Sequence, residues 1–225
     1  MSGHPIAALI GEIGNYVGSL AGPGIAEVSR GIARWGEGLA RPMPAREIGA
    51  CNHLPAALAA IEGHESLRAA IWAARPHLAW EAYAPYPAEK IGRHFPGAHA
   101  FASLMGGEAP VFADDFEFGL FLIAPGILYR DHRHAAPELY APLTGPHRWR
   151  FGGDDGWASV PAHVPVWNEP WRVHATITGA VPFLSIFCWT RDVNDPAEVV
   201  MADDWDRSEE HTSELQSRLH LVCRL

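Results

Sequence analysis

Two histidines one residue apart, with a carboxylate four residues further on, are the side chains of this sequence best placed to do chemistry. His132 and His134 lie in the run GILYRDHRHAAPELYAPLTG, from Gly126 to Gly145. On a β-strand, successive side chains point to opposite faces, so both imidazoles share one face and Asp131 and Arg133 take the other. Glu138 and Tyr140 are paired in the same way on the next stretch. A turn at Ala135-Ala136-Pro137 is expected to fold that face back beside the histidines. His174, on a later extended stretch, can add a third imidazole. Three imidazoles and one carboxylate directed inward suit one first-row divalent cation. Imidazole favours Zn, Fe, Ni and Cu, and the carboxylate admits Mn. Such a site keeps positions open for water or substrate.

The elements needed to position these groups are legible from periodicity. Residues 5–40 carry apolar side chains at helical spacing: Ile6, Leu9, Ile10, Ile13, Val17 and Leu20, then Ile25, Val28, Ile32 and Trp35. Gly22-Pro23-Gly24 divides them into two helices. A third helix is expected over Leu54–Ile61 and a fourth over His64–Ala74, with Leu67, Ala70, Ile71 and Trp72 on or near its buried face. After Pro85, short aromatic and β-branched runs alternate with Gly and Pro turns. Strands are expected near Ala98–Met105, Phe116–Ala124, Ile127–His134, Glu138–Leu143, Arg148–Phe151, Val164–Trp167, Arg172–Thr178 and Phe183–Thr190. This pattern predicts a mainly β chain: a barrel over residues 85–206 behind a helical region over residues 1–84.

Composition narrows the function classes. Of 225 residues, 48% are hydrophobic and 19% charged, which supports a real core and excludes a disordered chain. The net charge of −9, with no basic run, argues against nucleic acid or an anionic membrane as partner. No apolar stretch approaches ~18 residues, so no membrane span is expected. Met1 to Leu20 lack a basic leader, so no secretory signal is expected either. Cys51, Cys188 and Cys223 form no paired framework, in keeping with a reducing cytoplasm.

The last nineteen residues stand apart. All 35 Ala, 22 Gly and 19 Pro fall before Arg207, and Arg207–Leu225 contains none of them. That tail, RSEEHTSELQSRLHLVCRL, resembles a translated sequencing adapter, which implies that residues 207–225 are non-native and that the natural frame departs near Asp206. His211, His220 and Cys223 are therefore set aside as site candidates.

The spacing G-x5-H-x-H-x3-E-x6-G, on Gly126, His132, His134, Glu138 and Gly145, matches the first motif of the cupin family. The resemblance implies a single cupin barrel with His132, His134 and Glu138 as metal ligands. A second cupin motif supplies a fourth ligand, here His174. Its Pro-x-Gly-x-x-His form is altered, since Pro165-Val166-Trp167 lacks the glycine, and His163 is the alternative.

From Leu54 to about Asp192 the chain resembles the cupin-type dimethylsulfoniopropionate (DMSP) lyases. LPAALAAIEG, AHAFASLMGGEAPVF and FGLFLIAPGILYRDHRHAAPELYAPLTG carry the resemblance. It implies a divalent ion (Fe, Mn, Zn, Ni or Co), a small zwitterionic substrate, and two functional tyrosines matching Tyr129 and Tyr140. β-Elimination needs a base at the carbon next to the carboxylate, and Tyr140, on the face of Glu138, can reach a bound substrate. Tyr129 is three residues from His132, so a regular strand would turn it away, and its participation requires a bulge or a turn near the strand start. Trp149, Trp167, Trp171, Phe187 and Trp189 are candidates for an aromatic box around the sulfonium. Arg148, Arg150 and Arg172 could meet a carboxylate but read first as surface residues. The competing readings are a cupin dioxygenase or isomerase acting on a small carboxylated metabolite, and a non-enzymatic ligand-binding cupin. A homodimer is expected by analogy with cupins.

Overall fold

The computed structural model describes residues 4–152 and 156–205. The segment from Arg207 onward, with the boundary inferred there, lies outside the described residues. Four helices open the chain: α1 (Pro5–Ser19), α2 (Ile25–Trp35), α3 (Leu54–Ala59) and α4 (Glu65–Ala74). Pro5 starts α1 where a missing N–H costs nothing, and His4 Nδ1 accepts from the Ile6 N–H at 3.3 Å. On α4 the buried stripe is Leu67, Ile71 and Ala74. Trp72, expected on or near that face, lies off the stripe and is 52% exposed. Two short helices without sequence periodicity follow, α5 (Ala88–Ile91) and α6 (Phe95–Ala98).

Eleven strands complete the described residues: β1 (His99–Gly106), β2 (Val111–Phe112), β3 (Glu117–Ile123), β4 (Leu128–Arg133), β5 (Glu138–Pro142), β6 (His147–Phe151), β7 (Ala158–Val160), β8 (Val166–Asn168), β9 (His174–Ile177), β10 (Phe183–Trp189) and β11 (Glu198–Val199). β2, β7 and β11 were not anticipated, because two or three residues are too few to show alternation. The strands form a six-stranded sheet, ordered β2-β1-β3-β10-β5-β8, and a five-stranded sheet, ordered β11-β4-β9-β6-β7. From β3 to β6 the chain passes from one sheet to the other at each step. The result is a two-sheet jelly-roll barrel with a helical N-terminal region.

The six-stranded sheet has two working faces. Ala100, Ala102 and Leu104 of β1, Phe118, Leu120 and Leu122 of β3, Leu139 and Ala141 of β5, and Leu184 and Ile186 of β10 pack against the helices. The intervening residues, among them Phe121, Tyr140, Phe183 and Phe187, face the barrel interior. Strict alternation thus lets one sheet bury an aliphatic core on one side and hold a functional cavity on the other.

Arg150, on the outer face of the five-stranded sheet, is not the surface residue expected of it. Asp131 and Arg150 are both buried there, 1% and 4% exposed. Arg150 Nε donates to Asp131 Oδ1 at 3.1 Å, its Nη2 to Asp131 Oδ2, and its Nη1 to Asp204 Oδ2 at 2.6 Å. Trp205 Nε1 adds a bond to Asp131 Oδ2 at 2.8 Å. Among the described residues, no helix is long and apolar enough to cross a membrane. Arg150→Ala leaves the Asp131 carboxylate buried without its ionic partner, so unfolding by denaturant should show a loss of about 3 kcal/mol. A loss below about 0.5 kcal/mol would show the pair to be as weak as an exposed one.

Candidate metal centre

β4 pairs with β9, Tyr129 opposite Thr176 and His132 opposite His174, so three residues of β4 match two of β9. This bulge turns Tyr129 inward together with His132, which is the irregularity Tyr129 required. The two rings stack at 3.9 Å and 20°. The stack continues through Phe95, 4.1 Å from Tyr129, to His99, 3.9 Å from Phe95. His99 is locked in turn: its Nδ1 donates to the Phe95 carbonyl at 2.7 Å and its Nε2 accepts from the Tyr83 N–H at 2.9 Å. Burial lowers the His99 pKa to about 4, so the ring is neutral near pH 7.

Glu138 reaches the histidines from the other sheet. The Ala135-Ala136-Pro137 segment is a crossing between sheets, not a hairpin within one, so Glu138 meets the imidazoles across the barrel. Both motif glycines have backbone reasons. Gly126 adopts φ +66° in the turn before β4, and a Cβ at Gly145 would lie 2.5 Å from the Ala162 nitrogen.

The hydrogen bonds of the three imidazoles determine what they offer. His132 Nδ1 bonds to the Arg130 carbonyl at 2.8 Å, His134 Nδ1 to the Ala136 carbonyl at 2.7 Å, and His174 Nδ1 to the Arg172 carbonyl at 2.9 Å. A carbonyl only accepts, so each Nδ1 carries the proton and each Nε2 of the neutral ring presents a lone pair. One donor atom from each ring lies within 4.8 Å of the others. Glu138 Oε2 is 3.1 Å from His134 Nε2 and 3.3 Å from His174 Nε2. His132 Nε2 and His174 Nε2 are buried without a hydrogen-bond partner. Asn168 Nδ2 at 3.2 Å and Trp189 Nε1 at 2.8 Å hold the two Glu138 oxygens from the flanking strands.

The charge states agree with this geometry. Burial, then the neighbouring His174 and His134, keep the His132 pKa well below its ordinary value and the ring neutral. Burial disfavours an ionised Glu138, but His134 and His174 outweigh it and hold the carboxyl well below the usual range. Three imidazole Nε2 atoms and one carboxylate, buried and turned toward one another, fit a divalent cation. His163 stands elsewhere: its Nδ1 is 3.0 Å from the Tyr16 hydroxyl, and its ring packs on His64 at 4.5 Å.

A cavity of about 310 Å3 opens over these donors, lined by Tyr129, Tyr140, Phe187 and Trp189 and by the segment from Glu81 to Tyr86. Tyr86, which the sequence reading missed, places its hydroxyl 2.6 Å from that of Tyr129. Tyr83, Phe101 and Glu117 also line the cavity and were likewise missed. YAPYP carries no periodic signal, and the other two read as ordinary strand positions. Of the expected aromatic box, Phe187 and Trp189 are present. Trp149 is buried behind Tyr140 at 5.3 Å, Trp171 is 51% exposed, and Trp167 packs on the helical region at Gly24. The arginines do not contribute, since Arg148 and Arg172 are exposed and Arg150 is committed to Asp131.

Comparison with known proteins adds the family. The model of the dimethylsulfoniopropionate lyase family matches residues 28–185. The chain belongs to that family. The DddL protein of Cereibacter sphaeroides, assigned by name as a dimethylsulfoniopropionate lyase, is 26% identical over 154 residues, which cover 68% of this chain. The chain spans 57% of the length of that curated relative. A chain from the crystal structures of the DMSP lyases RdDddP and RnDddQII superposes with a TM-score of 0.70 at 21% identity, covering 88% of this chain and 98% of that one. DddQ from Ruegeria pomeroyi DSS-3, a DMSP lyase by its title, gives 0.62 at 19% identity, with 89% and 96% covered. These two share the fold of this family member.

Loading with a divalent ion and gel filtration should leave about one equivalent per chain by mass spectrometry of metals. His132→Ala or His174→Ala should hold less than about a tenth of that at the same ion concentration. Full occupancy in both variants would remove these residues from the ligand set.

Proposed function

We propose that this chain is a metal-dependent lyase that cleaves dimethylsulfoniopropionate into dimethyl sulfide and acrylate. One observation carries the reading: His132, His134 and Glu138 line the same cavity as Tyr129 and Tyr140, with His174 beside them. Membership in the family supports the choice of substrate.

His132, His134, Glu138 and His174 would hold a divalent ion, whose positive charge would attract the substrate carboxylate, offset negative charge building up on it and favour a nearby phenolate. Tyr140 is the base. Burial, then the Glu138 carboxylate, raise its pKa well above the ordinary phenol value, so the chain by itself keeps Tyr140 protonated. With a divalent ion bound, Tyr140 would lose its own proton to solvent, and the phenolate then takes the proton from the carbon next to the carboxylate. The released electron pair forms the carbon–carbon double bond, the carbon–sulfur bond breaks, and dimethyl sulfide leaves as a neutral molecule. Tyr129, bonded to Tyr86 and stacked on His132, supports the substrate from the opposite wall. Phe187 and Trp189 exclude water from the reacting carbons.

Gas chromatography after loading with Fe, Mn, Zn, Ni or Co in turn should detect dimethyl sulfide with at least one ion. Its absence throughout would end the lyase reading. Tyr140→Phe should keep about one equivalent of metal yet lose at least ~10²-fold in kcat. Tyr129→Phe should lose less. Undiminished turnover in Tyr140→Phe would move the base role to another group.

A further inference from the structure

The barrel-facing row that holds Glu138 continues across the six-stranded sheet and ends in a second carboxylate. Asn168, Glu138, Trp189 and Glu117 are directly opposed residues on β8, β5, β10 and β3. At about 4.8 Å between strands, Glu117 sits about 10 Å from Glu138, measured along the backbone row. It lines the same cavity, beside Tyr83, Phe101 and Phe187.

Glu117 lacks the partner that other carboxylates of the chain have. Glu27, Glu47, Glu81 and Glu198 each pair with an arginine. Among the described residues, Glu117 is hydrogen-bonded only to Ser103, whose Oγ donates to Oε1 at 2.6 Å, and it has no cationic partner. Burial, with the charge of Glu81 adding to it, disfavours its ionised form. A largely desolvated carboxylate without a cation costs free energy that folding does not recover. A ligand that brings a cation to this end of the cavity would remove that cost.

The span fits such a ligand. In the proposed substrate, the carboxylate carbon and the sulfonium sulfur are three single bonds apart, about 4 Å at standard bond lengths. With contact distances added at each end, that is about the separation between the two ends of the row. We propose that Glu117 is the counter-charge for the cationic end of the substrate, and that with the rings of Tyr83, Phe101 and Phe187 it selects an onium group over a neutral group of the same shape. The proposal rests on the lyase reading for one point only, the placing of the substrate carboxylate at the His132–His174 end. The sulfonium loses its charge as the carbon–sulfur bond breaks, so Glu117 stabilises bound substrate more than the transition state. Its contribution therefore falls on KM, and it releases its hold once the neutral sulfide forms.

The test uses the metal-loaded chain and two ligands that differ only in charge, 3-(trimethylammonio)propanoate and 4,4-dimethylpentanoate, with affinities from calorimetry. The native chain should prefer the cation at least about tenfold. Glu117→Gln, close to isosteric and still able to accept from Ser103, should lose about tenfold for the cation and change less than about threefold for the neutral ligand. Glu117→Asp should keep most of the preference. With dimethylsulfoniopropionate, Glu117→Gln should raise KM about tenfold without lowering kcat. Equal loss for both ligands, or an intact preference in Glu117→Gln, would overturn the proposal. Binding is read without turnover, so the two readings fail separately. A Glu117-dependent preference without cleavage removes the lyase reading alone. Cleavage with an unchanged KM in Glu117→Gln removes this subsite alone.

Discussion

Four electron-pair donors facing one another, with their protons turned outward, are the constraint on which the rest of this structure depends. Each imidazole commits its Nδ1 proton to a main-chain carbonyl, at Arg130, Ala136 or Arg172. That leaves the three Nε2 atoms and the Glu138 carboxylate gathered in one place. Donors gathered this closely must be held in place by rigid surroundings. The surroundings do this from two sheets: the β4–β9 pair sets His132 against His174, and β5 brings Glu138 across the barrel, gripped by Asn168 and Trp189.

The rigidity comes from the division of labour within the six-stranded sheet. Its aliphatic face, closed by α1 to α4, secures the strands by hydrophobic burial alone and needs no polar group. The opposite face is thereby free to carry residues that do nothing for stability, or harm it, such as Glu138 and Glu117. The β4 bulge adds a further device. One extra residue lets Tyr129 and His132, three positions apart and otherwise on opposite faces, share one side and stack. The ring column through Phe95 to His99 then braces that side from behind.

Part of this was legible in the residues themselves. The two-residue spacing of His132 and His134, with Glu138 and the glycines in register, is a local signal that any extended chain turns into a shared face. The helices and the long strands were legible for the same reason, since their periods repeat enough to be seen. What escaped depends on partners distant in sequence. A bulge is defined by the strand opposite, so only the need for one at Tyr129 could be stated. Arg150 read as a surface charge because nothing in the sequence says that it meets Asp131 and Asp204 beneath Trp205. Tyr83, Tyr86 and Glu117 join the cavity through the closure of the barrel, which leaves no mark at their own positions. His174 could be named, but its altered spacing left His163 as a rival until the β4–β9 register placed one inside and the other beside Tyr16.

The stretch from Glu81 to Tyr86 that roofs the cavity belongs to neither sheet, apart from one bridge from Glu81 to Phe101. Lengthening or replacing it shifts no strand register, and it meets the donor side only through the bonds of Tyr83 to His99 and of Tyr86 to Tyr129 and the Tyr86 ring beside His132. Within this scaffold, relatives that differ in what they accept can therefore diverge in that connecting peptide first, keeping the inherited floor intact while the roof is rewritten.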